Sequence, residues 1–136
     1  MSVRLAEELE AIEILSEPDT IRRTGKIPEH TVFQPWICED VDSKMLFFFW
    51  STGQPRVYEF HVAAPKKDIG ASRKLSLELM EWLFTHGAKK LVSNCPEGKI
   101  ANLARKVGMR VYARNDQTVF VEVESWELER QLLDQR

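Results

Sequence analysis

The chain has 136 residues, of which 43% are hydrophobic and 29% are charged, with six glycines and six prolines. This is the size and composition of one globular domain, which excludes collagen-like, low-complexity and disordered chains. A net charge of −2, from 19 basic and 21 acidic residues, disfavours general binding to nucleic acid or to a membrane surface.

The N-terminal part of the chain has the pattern of a helix. Leu5, Leu9 and Ile12, with Ile14 as a further candidate, recur at helical spacing with glutamates elsewhere, which predicts a helix from Leu5 to Leu15 with these residues on one apolar stripe. A short second helix is predicted from Asp19 through Arg23, ahead of the helix-breaking residues that follow.

Three strands are predicted next, at residues 31–38, 44–51 and 56–64, where β-branched and aromatic residues dominate. Their connectors are four to five residues long and consist of turn formers, so the three strands should form an antiparallel meander. The apolar run from Met45 to Trp50 predicts that the second of these strands is central and covered on both faces.

The second half of the chain alternates helices and strands. Helices are predicted at residues 71–86 and 98–107, each followed by a glycine, and strands at residues 90–95, 110–113 and 118–123. A last helix is predicted at about residues 126–135. The sequence therefore predicts a single α/β domain spanning residues 1–136, with a mixed, mostly antiparallel sheet flanked by helices on both faces.

Cysteine usage and the absence of targeting signals point to the cytoplasm. Cys38 and Cys95 belong to no CxxC or Cys/His pattern, so we expect reduced thiols and no metal site. We find no signal peptide, and the longest apolar run is far below the roughly 20 residues of a membrane helix.

Four cations surround the predicted start of the helix at residue 71: Lys66, Lys67, Arg73 and Lys74. Positive side chains oppose the dipole of a helix N-terminus unless an anion binds there, which favours a phosphate site. The competing interpretation is that the cations are solvated and that Asp68 caps the helix. The position of this segment, where a strand leads into a crossover helix, favours a ligand crevice.

The segment from Lys67 to Ser72 resembles the pyrophosphate loop of the GNAT superfamily of acetyl-CoA-dependent N-acetyltransferases. The family pattern is Q/R-x-x-G-x-G/A, and Gly70 is its one full match in this chain. The resemblance extends over the predicted element order and implies a GNAT-like acyl-CoA N-acyltransferase fold with acetyl-CoA as cofactor. It assigns pyrophosphate binding to Lys67 and to the amides from Ile69 to Arg73, that is, to Ile69, Gly70, Ala71, Ser72 and Arg73.

The preceding strand resembles the family strand beside the pantetheine arm, which implies backbone contacts from Val62 and Ala64. Strand alternation places Glu59 and His61 on one face. Glu59 matches the position of the glutamate that deprotonates the amine in many relatives, and His61 is the second candidate for this catalytic base. The competing interpretation treats both as ordinary strand residues.

One position departs from the family. Ala104 stands where many members have the tyrosine that protonates the departing thiolate, so this general acid is absent. Either another group or water serves, or the protein does not catalyse.

Two functions follow from these observations. The first is acetyl-CoA-dependent acetylation of an amine, carried by a small molecule or a protein, through direct attack on the thioester. The alternative is a catalytically silent GNAT-fold protein, such as a phage head-assembly or internal virion component, with a virion location and an assembly partner. The amphipathic last helix could dock on the body or on a second copy of the chain, so a homo-oligomer is a further expectation. An unrelated α/β binding module ranks last.

Overall fold

The computed structural model describes residues 1–18, 20 and 34–134. Its strands are β1 (Ser2–Leu5), β2 (Trp36–Glu39), β3 (Lys44–Ser51), β4 (Val57–Ala63), β5 (Lys90–Pro96), β6 (Arg110–Arg114) and β7 (Thr118–Glu124). Its helices are α1 (Glu8–Leu15), α2 (Ser72–Thr85), α3 (Lys99–Lys106) and α4 (Ser125–Asp134), and a 3₁₀ helix (Lys66–Ala71) leads directly into α2.

The seven strands form one sheet in the order β1-β2-β3-β4-β5-β7-β6. Every neighbouring pair is antiparallel except β4 and β5, which run parallel because α2 crosses over between them. The predicted mixed, mostly antiparallel sheet is therefore confirmed. β3 lies third from one edge, and Met45–Phe48 are buried, as the apolar run predicted.

The larger core lies on the face of the sheet that packs against α2 and α3, which we call the first face. Alternate residues of the strands point into it, among them Phe47, Phe60 and Val121, and meet Leu75 and Leu79 of α2. The period-two pattern of the strands and the helical period of α2 converge on one apolar layer, and this layer holds the parallel strands in place.

The opposite face, which we call the second face, packs against α1 through Ala11 and Ile14. The predicted apolar stripe of α1 is wrong for Leu5, Leu9 and Ile12, which are 53%, 80% and 52% exposed, and only its candidate Ile14 is buried. Two local interactions set the orientation of α1 instead, a capping box between Glu7 and Glu10 and ion pairs from the Glu10 carboxylate to Arg4 and Lys44.

The N-terminal edge also differs from the prediction. Residues 2–5 form β1, paired antiparallel with β2, so the first helix begins at Glu8 and not at Leu5. Four residues are too few for a periodic pattern, which is why the sequence did not predict this strand. β2 begins at Trp36, after Pro35, and the predicted second helix from Asp19 through Arg23 lies outside the described residues, apart from Thr20.

The remaining predicted elements are confirmed within one or two residues. The β6–β7 turn is closed by Asn115, whose amide donates to the Thr118 carbonyl and whose side-chain Oδ1 accepts from the amides of Gln117 and Thr118. Among the described residues, no helix is both long and apolar enough to cross a membrane.

Candidate active site

The parallel strands β4 and β5 separate halfway along their length. They are paired only at Val57–Lys90, Tyr58–Leu91 and Glu59–Val92. Beyond Glu59, β4 continues to Ala63 and β5 to Pro96, each paired only with its outer neighbour, β3 and β7. The Ser93 hydroxyl donates to the Phe60 carbonyl at 2.6 Å, which bridges the two strands at the point where they part. Beyond this bridge, the facing edges of β4 and β5 have no strand between them among the described residues.

A cleft lies at this opening. It holds about 440 Å³, counting its open mouth, and α3 forms its wall through Ile100, Leu103 and Ala104. A second cavity shares Val62, Ile100 and Leu103 with the first and reaches Ile69 and Ser72 at the start of α2. The two cavities together form a path from the N-terminus of α2 to the gap between β4 and β5.

The predicted pyrophosphate loop is a 3₁₀ helix followed by the first turn of α2. Amides in a 3₁₀ helix donate to the carbonyl three residues back, and the Ser72 amide donates to the Ile69 carbonyl in this way. The amide of Arg73 follows in the first turn of α2. The five amides that the sequence assigns to an anion therefore lie in the last part of the 3₁₀ helix and the first turn of α2.

Gly70 leaves room for a ligand beside this loop. A Cβ added at Gly70 would meet no heavy atom within 4 Å, and the residue does not have a positive φ. Neither backbone conformation nor internal packing therefore requires glycine here. The open space beside the backbone fits the close approach of a phosphate group.

The cations around the loop fall into two groups. Lys74 is already engaged, since its Nζ lies 3.1 Å from an Asp40 carboxylate oxygen. This contact raises the pKa of Lys74 and lowers that of Asp40. Lys66, Lys67 and Arg73 are exposed and form no ion pair with any residue that the structure describes. Three of the four predicted cations are thus available to an incoming anion.

Asp68 does not cap the helix. It is 7% exposed, and its carboxylate accepts a hydrogen bond from the backbone amide of Lys44 at 3.3 Å. The N-cap position of α2 is Ala71, which has no side-chain cap. The capping interpretation of this segment is therefore wrong, because Asp68 ties the loop to β3 instead.

Glu59 and His61 lie side by side, as strand alternation predicted. Nε2 of His61 is 2.8 Å from Oε2 of Glu59, and the two side chains are 14% and 24% exposed. Trp50 of β3 stacks on the imidazole with ring centroids 5.2 Å apart and planes inclined by 19°. Since Trp50 packs with the α1 cluster, this pair lies on the second face of the sheet.

The cleft therefore connects the two faces. Phe60 and Val62 of β4 point to the first face, where the α3 wall lies, whereas His61 between them points to the second. A group held in the cleft is accessible to the imidazole side of β4. This arrangement can bring a bound electrophile and a proton acceptor together from opposite faces of one strand.

Two further predicted features concern the interior of the cleft. Ala104 lines it, so the methyl group of this residue faces the space that a larger side chain would occupy. Cys95 lines it too, but burial raises the pKa of its thiol, which argues against a nucleophilic thiolate. The interpretation of Cys95 as a buried, unreactive residue agrees with this environment.

Sequence reasoning missed Trp50 and Ser93. The pairing of Trp50 with Glu59 across the β3–β4 hairpin was the available signal for the first, since cross-strand register places Trp50 next to His61 on the same face. The role of Ser93 has no sequence signal, because it depends on where β4 and β5 separate.

Comparison with solved structures places this architecture among acetyltransferases. The aminoglycoside acetyltransferase AAC(6')-Ib, solved with coenzyme A and kanamycin, has a TM-score of 0.72 at 14% identity over 96% of this chain and 98% of its own. Ribosomal-protein-alanine N-acetyltransferase from Brucella melitensis has a TM-score of 0.64 at 16% identity, over 91% and 99%. An uncharacterized protein from Bacillus halodurans has a TM-score of 0.76 at 12% identity, over 98% and 88%.

No family model matches the sequence, and no curated protein matches it at the sequence level. At these identities the structural likeness concerns the fold, and it confirms the predicted GNAT-like fold class. The alternative of a phage assembly protein finds no support in these structures.

Proposed function

We propose that this chain, which has the fold of the GNAT acetyltransferases, is an N-acetyltransferase that takes its acetyl group from acetyl-CoA. The observation that carries the proposal is the separation of β4 from β5, which opens the sheet beside the N-terminus of α2. A thioester supplies an activated acyl group, and the protein's task is to hold it next to a deprotonated amine.

The residues along the cleft suit an extended, amide-containing ligand. The last residues of β4, together with Ala64 just after the strand, have an edge that faces the cleft, and backbone groups on such an edge bind an extended chain as an added strand would. At the end of this path, the first turn of α2 and the exposed cations Lys67 and Arg73 offer an anion site for the diphosphate.

On the second face, the Glu59–His61 pair is the proposed proton acceptor. With a proton on Nε2 donated to Glu59, Nδ1 of His61 is left as a lone-pair acceptor for a proton from the amine. The carboxylate then stabilises the imidazolium that forms, and the stacked Trp50 fixes the ring plane. The new amide N–C bond forms as the C–S bond breaks, and the departing thiolate takes up a proton from water at the cleft mouth. The hydroxide that remains is neutralised by the proton that His61 took from the amine.

The acceptor class in this proposal is an amine on a small molecule or a protein. AAC(6')-Ib has been solved with kanamycin, an aminoglycoside, and the Brucella relative is named for a ribosomal protein. These two precedents differ in size, and they support an amine acceptor in general. The chemistry needs one unprotonated amine at the second face, beside His61.

The proposal is tested by isothermal titration of the protein with acetyl-CoA and with CoA. We expect both to bind, and we expect Gly70→Glu to abolish binding, because it places bulk and negative charge in the open space beside the loop. Gln54→Glu, in the exposed β3–β4 turn at the opposite end of β4 from the cleft, adds the same charge and should bind as the wild type does. Absence of binding by the wild type at millimolar ligand, or normal binding by Gly70→Glu, contradicts the proposal.

A further inference from the structure

The cleft between β4 and β5 has an apolar interior that extends beyond the edges of these two strands to residues after α3 and in β7. We call the part lined by Val107, Met109 and Val121, which are 2%, 5% and 1% exposed, its closed end. Phe60 and the methyl group of Ala104 flank the way to this end. The interior therefore consists of hydrocarbon side chains that belong to the main core.

The polar side chains of the interior do not change this character. The Ser76 hydroxyl donates to the Met45 sulfur at 3.7 Å, and the Ser93 hydroxyl donates to the Phe60 carbonyl at 2.6 Å. Both hydroxyl protons are thus used inside the protein. His61 and Asn94, the other polar residues of the lining, alternate to the second face and mark the mouth.

The apolar interior continues the path proposed for the cofactor. The cavity next to Ile69 and Ser72 shares three lining residues with it, Val62, Ile100 and Leu103. A ligand anchored at the start of α2 and extended along β4 would therefore direct its far end toward Val107 and Met109. For an acyl thioester, that far end is the acyl group.

We infer that the closed end of this cleft binds the acyl chain of the donor, so that the site also accepts linear acyl groups longer than acetyl and binds them more tightly. This inference rests on the proposed function and refines its donor. Each methylene added to the acyl chain is buried against apolar side chains and increases the binding affinity. This gain ends at the length at which the chain meets the wall of Val107, Met109 and Val121.

The test is a titration series with CoA and with acetyl-, propionyl-, butyryl-, hexanoyl- and decanoyl-CoA. We expect the dissociation constant to fall by up to about fourfold per methylene, hence roughly 15-fold from acetyl to butyryl, the value for full burial of each group. Beyond the length of the cavity, affinity should stop rising. The heat-capacity change of binding should become more negative over the same range, because apolar surface is buried.

Two variants distinguish burial in the cavity from chain binding elsewhere. Ala104→Leu fills the passage and should remove the chain-length gradient while CoA still binds. The matched control Ala113→Leu makes the same change at an exposed position of β6 and should keep the gradient. If Ala104→Leu does not fold, Val107→Ala tests the same cavity in the opposite sense, because it lengthens the closed end and should move the optimum to a longer chain.

The outcomes separate the inference from the proposed function. If neither CoA nor any acyl-CoA binds, both are overturned. If CoA and acetyl-CoA bind and Gly70→Glu abolishes this binding, but the affinity is the same for every acyl group from acetyl to hexanoyl, only the inference is overturned. A gradient that persists in Ala104→Leu, or that keeps rising to decanoyl, also overturns it, since the chain would then bind outside the cavity.

Discussion

His61 is hydrogen-bonded to the carboxylate of Glu59 and stacked against Trp50, so two side chains from two adjacent strands fix one imidazole ring. This is more positional support than a solvent-facing strand residue needs. Sequence alternation placed Glu59 and His61 together but left open which of them takes the proton. The geometry favours His61 as the acceptor and Glu59 as the residue that orients it.

Substitutions at the pair test this assignment. We expect His61→Gln to lower kcat by about 100-fold or more with little change in the dissociation constant for acetyl-CoA, because a general base contributes at least that factor. Glu59→Gln should lower kcat by a smaller factor, because it alters only the orientation of the His61 imidazole. Steady-state thiol release with a panel of amines measures both. A larger loss for Glu59→Gln than for His61→Gln would return the role of base to Glu59.

Glu10 is a charged residue that stabilises the fold and does not belong to the candidate active site. Hydrogen bonds from Arg4, followed by one from Lys44, lower the pKa of its carboxyl from 4.5 to about 2. A carboxylate with a depressed pKa stabilises the folded state above pH 4.5 and loses this contribution as pH falls toward 2. It therefore secures the α1 orientation at neutral pH.

The prediction for Glu10→Gln follows from this sign. At pH 7 we expect a loss of about 1–2 kcal/mol in the free energy of unfolding, well below the full linkage value because solvent screens the partly exposed Arg4. The difference from wild type should shrink between pH 4.5 and pH 2. Urea unfolding across this range measures it, with Glu8→Gln, an exposed residue of the same helix, as the control. A difference that does not vary with pH would contradict the ion-pair explanation.

At the scale of elements, α4 is docked where α3 turns into β6. Gly108 in this turn has φ +93°, and its carbonyl accepts a hydrogen bond from the Gln131 side chain at 3.3 Å. A Cβ at Gly108 would lie 1.9 Å from the Gln131 Oε1 atom. Glycine is therefore needed here both for the backbone conformation and for the approach of α4.

Gly108→Ala should lower the free energy of unfolding by about 1–3 kcal/mol, the typical cost of a non-glycine residue in this region of φ. The double variant Gly108→Ala/Gln131→Ala should recover only the part due to the contact, because the backbone strain persists. Gly70→Ala, in open space and without a positive φ, is the matched control and should stay within about 0.5 kcal/mol of wild type. Equal stabilities of Gly108→Ala and Gly70→Ala in urea unfolding would contradict this account.

The elements that could be predicted from sequence are those whose period extends over two or more turns or over a whole strand. α2 and β3 have such patterns, and both were predicted closely. α1 was assigned the wrong face because its orientation depends on Arg4 and Lys44, which belong to other elements. The cations of the loop could be identified in advance, whereas its 3₁₀ conformation and the engagement of Lys74 by Asp40 depend on tertiary contacts.

At the scale of the whole molecule, the sheet consists of two halves, β1–β4 and β5–β7, joined by only three residue pairs. The first face of both halves is covered by one continuous core, so packing against α2 and α3 holds the halves together in addition to the short ladder between β4 and β5. This explains how the sheet can open for a ligand without losing its fold: the hydrogen bonds missing between the strands are replaced by apolar packing beneath them.

Hydrogen exchange tests whether a ligand completes the interrupted ladder. With acetyl-CoA at 100 times its dissociation constant, amides of residues 60–64 whose exchange requires release of the ligand should slow by about 100-fold. Residues 93–95 on the facing edge should slow less, because β7 already pairs with them. Exchange in the exposed β3–β4 turn at residues 52–56 should not change, since these amides open locally and lie at the opposite end of β4 from the cleft. If residues 60–64 exchange at the same rate with and without ligand, the added-strand mode of binding is wrong, whereas equal slowing in the turn would indicate a general effect on the protein. Protection confined to the β4 edge would show that the ligand supplies the partner that β5 does not.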